Sequence, residues 1–217
     1  MKTKITLLLL LVGGHVAFSQ GFVNLNFEDA DLTGYSVGDE VPSSNAFPGW
    51  TINAAFVLYD NFSLSGESIS LIDTNPAAYW EAFSTIQGNY FMFFVSANYP
   101  GTGVPTSVGQ IGTIPPWAQS ITFWGSIGGM QVTFDGNPLY FSAIGSGSSY
   151  TIYGADISAY ANQTGELLFT LPPYVGNASL DNIQFSSTAV PEPSTLALSA
   201  FGGLLVVWRR RWKASII

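Results

Sequence analysis

The 217-residue chain has no cysteine, one histidine and six lysines and arginines. Without cysteine there is no disulfide framework, so an exported domain of this chain has to be held by its core or by metal. The basic residues are Lys2, Lys4, Arg209, Arg210, Arg211 and Lys213, and the histidine is His15. The segment from Gln20 to Val190 therefore has no basic side chain at all. Ser-His, Cys-His and lysine-based nucleophile schemes cannot be assembled there. A carboxylate pair for glycoside hydrolysis is not singled out by any spacing, so the expectation is a domain that is not an enzyme. The same segment holds 13 of the 14 acidic residues, a formal charge of −13. Such a surface repels phosphate, which excludes nucleic acid as a partner, and attracts divalent cations.

What is present sits first at the two ends. Residues 1–19 have the three regions of a secretory signal peptide: Lys2 and Lys4, the apolar run Ile5–Val12, and Ala17-Phe18-Ser19 as a cleavage site before Gln20. At the other end, residues 190–213 read VPEPSTLALSAFGGLLVVWRRRWK. From Thr195 to Trp208 there are 14 uncharged residues, which as a helix reach about 21 Å at roughly 1.5 Å per residue, against a bilayer core of about 30 Å. Trp208 and Trp212 suit the headgroup belt, and the arginines mark the cytoplasmic side. A short membrane-spanning helix is expected here, with residues 214–217 as a cytoplasmic end. Pro191 and Pro193 cannot continue a helix and hold Glu192 extended.

The order of Pro191-Glu192-Pro193, apolar run and Arg209-Arg210-Arg211 resembles the PEP-CTERM sorting signal of Gram-negative bacteria. That tail also closes proteins named ice-binding. The resemblance implies recognition by a membrane-embedded exosortase, tethering in the inner membrane through the C-terminal helix, and final placement on the cell surface or in the extracellular matrix.

Residues 20–189 make one domain, large enough for a real core. Their period is that of strands separated by Gly, Pro, Asn and Asp: VNLNF near residue 25, WTINAAFVLY, SISLI, YFMFFV, SITFW, MQVTF, LYFSAI, YTIYG, ELLFTL and LDNIQF. About ten such runs predict an all-β, jelly-roll-like antiparallel sandwich. Asp135-Gly136-Asn137 predicts a hairpin turn. Only Ala77–Phe83 and Ile157–Ala161 have room for a helical turn. YTIYGADISAYANQTGELLFTL followed by SLDNIQF resembles the closing strands of galactose-binding-like jelly rolls, a resemblance that implies the fold and no particular ligand.

Two places are candidates for calcium. Asp29, Asp31, Thr33, Gly34 and Glu40 match positions 1, 3, 5, 6 and 12 of an EF-hand-type loop, although FVNLNF before it reads as strand and VPSS after it has no helical pattern. The alternative is an exposed acidic loop. In carbohydrate-binding jelly rolls a structural calcium often joins the first and last strands, and that resemblance points to Glu28 and Asp181. Asp181 has the parity of Ile183 and Phe185, so a regular strand turns its carboxylate toward the core, where only backbone N–H groups, hydroxyls, amides or a metal can compensate it. The alternative is an Asp capping a turn.

Sugar binding would rest on exposed indoles. Trp80 and Trp117 sit in loop-like surroundings near proline and are the candidates, while Trp50 and Trp124 lie within strand patterns. The expected function is a structural or adhesive module of the exopolysaccharide matrix. A lectin-like carbohydrate-binding domain is the alternative, and a glycoside hydrolase the distant one.

Overall fold

The computed structural model describes residues 21–59, 68–73, 86–96 and 103–190. The signal-peptide segment 1–19, the helical candidate Ala77–Phe83, Trp80, and the sorting residues Pro191, Glu192, Pro193, Arg209, Arg210 and Arg211 lie outside them.

The chain folds into a two-sheet β-sandwich. One sheet is built from β1 (Thr51–Asn53), β5 (Thr106–Thr113), β11 (Thr164–Leu171), β7 (Gln131–Phe134) and β8 (Asn137–Pro138), in that order. The other runs β2 (Phe56–Tyr59), β3 (Ser68–Asp73), β4 (Tyr90–Val95), β12 (Asn177–Ser186), β6 (Ser120–Ser126), β10 (Thr151–Asp156) and β9 (Ser142–Ser146). Alternation along the strands puts Val108, Val132, Phe169 and Leu171 of the first sheet against Leu71, Met92, Phe94, Phe123 and Leu180 of the second. Phe123 and Phe169 meet edge to face across the gap, centroids 5.8 Å apart. The opposite faces of β4 and β6 are apolar too: Phe91, Phe93 and Val95 form a second cluster with Ile72 and Ile86, onto which Trp124 and Tyr150 pack.

Several expectations are corrected. The sandwich is not wholly antiparallel, because β2 pairs with β3 in parallel, Phe56 opposite Ser68 through Tyr59 opposite Leu71. VNLNF is not a strand: Asn24 and Phe27 have φ of 48° and 57°, which turns the chain out of the extended region. WTINAAFVLY splits into β1 and β2, which join different sheets. VPSS runs into a single helical turn, α1 (Ser43–Ala46). β5 carries no strand signal in the sequence, since TSVGQIGT has two glycines and few apolar residues, yet it pairs along its whole length with β11. The hairpin at Asp135-Gly136 forms as expected, with φ of 48° and 76°, and Ser158–Tyr160 makes one 3-10 turn.

The membrane-spanning helix is also corrected. Among the described residues no helix is long and apolar enough to cross a membrane; the two present have 4 and 3 residues. Residues 195–208 lie outside the described ones, and their 14 uncharged positions already fall short of a bilayer core at helical rise. The membrane as a partner, and inner-membrane tethering as a location, are withdrawn with the helix.

Candidate metal centre

The start and the end of the domain meet at one corner. Asn24 turns the chain there: its Oδ1 accepts from the Asp29 N–H at 3.2 Å and its Nδ2 donates to the Pro48 carbonyl at 3.2 Å. Phe27 drives its ring into the core against Phe47 and Trp50, at 5.8 and 5.7 Å. Glu28 is thereby aimed away from the core onto the turn before β4. Its Oε1 accepts from the backbone N–H groups of Asn89 (2.8 Å) and Tyr90 (3.0 Å), and its Oε2 from Asn89 Nδ2 (2.9 Å). Gly88 makes room for this. It has φ 62°, and a Cβ there would stand 2.3 Å from Glu28 Oε1.

Asp181 enters from β12. The expected orientation toward the inner core is corrected, because β12 carries a bulge between Asp181 and Gln184, with Asn182 at φ 45°. An extra residue resets the alternation. Asp181 thus lies opposite Trp124, on the outer face of the seven-stranded sheet, while Leu180 and Ile183 point inward. It is nevertheless 0% exposed. The Asn182 N–H donates to Oδ1 at 2.6 Å, whereas Oδ2 has no hydrogen-bond partner. The side-chain oxygen Oε1 of Gln87 is a second buried acceptor without one.

The electrostatics follow. Burial pushes the Asp181 carboxyl up to about 8; the N–H of Asn182 pulls it down, the negative charge of Glu28 raises it further, and the N–H of Gln87 offsets a little. Burial, helped by the charges of Asp73 and Glu28, likewise raises the Tyr90 hydroxyl. This corner concentrates negative charge in a segment that has no Lys, Arg or His. The donors it offers are two carboxylates and an amide oxygen, all hard oxygen ligands of the kind that suit calcium. They fit the ion in type but are fewer than its usual six to eight, so backbone carbonyls or water would have to complete the shell.

The structure places the other candidates apart. Asp29, Asp31, Thr33 and Glu40 are all exposed, and among the described residues no three carboxylates gather where an ion could sit. The Thr33 hydroxyl and then the Thr33 N–H, which donates to Asp31 Oδ1 at 3.1 Å, hold the Asp31 carboxyl below the ordinary range. Glu40 bridges to Leu58 through its backbone. Trp117 is 55% exposed, just after Pro115-Pro116. Trp50 is core, its Nε1 donating to the Asn24 carbonyl at 3.0 Å, and Trp124 stacks on Tyr150 at 4.8 Å. Gln87 was missed in the sequence: only the fold brings a glutamine in a polar turn against an aspartate 94 positions later.

Residues 189–211 match the PEP-CTERM protein-sorting motif. This chain is an exported, exosortase-sorted protein carrying a β-sandwich domain. No curated protein matches it.

Proposed function

We propose that the exported domain is a calcium-stabilised, non-enzymatic structural module of the exopolysaccharide matrix. The observation that supports it best is the orphaned, buried Asp181 Oδ2, on a carboxyl that also feels the backbone of Gln87 and the charge of Glu28. Burying an unpaired carboxylate is expensive, and in a segment without basic residues either a proton or a divalent cation has to neutralise it. Such an ion ties the first turn of the domain, the turn before β4 and the last strand together, which is a stabilising role. The expected result is a melting temperature well above that in chelator when calcium is added to the full chain, together with co-sedimentation with the organism's own polysaccharide. Identical melting in calcium and chelator removes the metal from this reading.

A lectin-like role is the second reading, favoured by the exposed Trp117. A flat indole in solvent is a stacking platform for a sugar ring. Trp117→Ala abolishes glycan binding on this reading and leaves it intact on the first.

A further inference from the structure

After β12 the chain does not leave the domain freely. The Gln119 N–H donates to the Ser186 carbonyl at 2.8 Å. Ser120 Oγ donates to the Thr188 carbonyl at 2.7 Å, and the Thr188 N–H donates to Ser186 Oγ at 3.0 Å. Residues 187–189 are exposed, and then Val190 returns to the surface and is half-buried. It lands on β10: a Cβ at Gly154 would stand 3.0 Å from Val190 Cγ2 and 2.9 Å from Cδ1 of Ile144 on β9. Gly154 and Ile144 thus form a seat, and a side chain at 154 would press on the ends of both Ile144 and Val190. The sorting motif begins at residue 189, so its second residue, Val190, already lies against the folded domain. From Gly136 to Ala155 the chain has no charge, so in an otherwise acidic domain β9 and β10 up to Ala155 present a stretch that another protein approaches with little repulsion.

We infer that the strap Ser186–Val190 and its seat at Gly154 and Ile144 position the motif for sorting, so that the exosortase meets the tail and the adjoining β9–β10 surface as one unit. This rests on the chain being an exosortase substrate. An anchored stem leaves no slack between domain and motif, and fixed orientation raises the frequency of productive encounters.

The test keeps the motif sequence untouched. Gly154→Ala, Ile144→Ser and Ser120→Ala are made in the full chain in its own organism, with Ile111→Ser, on the other sheet, as control. The readouts are the fraction of chain outside the cell at a fixed time after a pulse of synthesis, hydrogen exchange at residues 188–190, and protease resistance of the domain. Faster exchange at the strap, with a several-fold slower appearance outside the cell and an intact domain, is the expected result; Ser120→Ala, which only removes a hydroxyl, covers the case in which Gly154→Ala fails to fold. Unchanged sorting, faster sorting, or a strap that exchanges no faster in the variants overturns the inference. A chain with Pro191 and Pro193 replaced by alanine separates the premise: if it is exported like the parent, the motif does not direct sorting at all.

Discussion

Asp181 shows how much one residue's surroundings decide. Its folded pKa, about 8, lies above the ordinary 3.8, so without a cation the folded state holds the proton more tightly than the unfolded chain. The associated stability is therefore complete below about pH 4 and is lost as pH rises toward 8. At about 1.4 kcal/mol per unit, the loss by neutral pH is on the order of 4 kcal/mol. The expected outcome is a melting temperature in chelator that falls between pH 4 and 8 and is flatter in calcium. Asp181→Asn, which cannot ionise, should melt higher than the parent in chelator at pH 8 and lose the calcium response; calorimetry of both chains in both buffers checks this. The sequence showed Asp181 to be a carboxylate without a cationic partner. It did not show its face, because parity counting assumes a regular strand and the bulge at Asn182 breaks the count.

At the scale of elements, β5 carries more than its composition announces. Gln110 on that strand accepts from the Val23 N–H at 2.6 Å and donates through Nε2 to the carbonyls of Val23 (3.1 Å) and Gly49 (2.9 Å). One amide thereby lashes the first segment of the domain to the five-stranded sheet. With each such bond worth about 1 kcal/mol net, Gln110→Ala should destabilise the domain by about 2–4 kcal/mol, read from the shift in denaturant midpoint. Elements with strong alternation, such as YFMFFV and ELLFTL, were legible in the sequence because both faces of β4 and the inner face of β11 are built from large apolar side chains. TSVGQIGT was not legible. Its inward positions are Thr106, Val108, Gln110 and Gly112, and Gly112 is small because the Phe22 ring occupies the space, 2.8 Å from where a Cβ would stand. The parallel pairing of β2 and β3 left no signal either, since period reports which face a residue takes and not which way a neighbouring strand runs.

For the whole molecule the one-sided charge dominates. The formal −13 between Gln20 and Val190 is not relieved by any cation within that segment, so the compact state repels itself. Added monovalent salt screens this, with a Debye length of about 10 Å at 0.1 M. The melting temperature should rise with sodium chloride in chelator, the opposite of a fold held by surface ion pairs. The all-β character and the C-terminal sorting motif were readable at this scale, from period and from the order of tripeptide, apolar run and arginines; the parallel pair of strands was not, and the membrane helix read there was wrong.

The corner around Glu28 also bears on the order in which the domain can be completed. Glu28 reaches across 61 residues to Asn89, and its neighbour Asp181 belongs to the last strand, nine residues before the sorting tail takes over. A chain that emerges from its N-terminus onward has Glu28 waiting while both sheets are threaded, and it acquires Asp181 only at the end. The corner is complete only when β12 is in place, and β12 is the strand that carries the chain into the strap below the motif. Completion of the corner and presentation of the tail thus depend on the same strand.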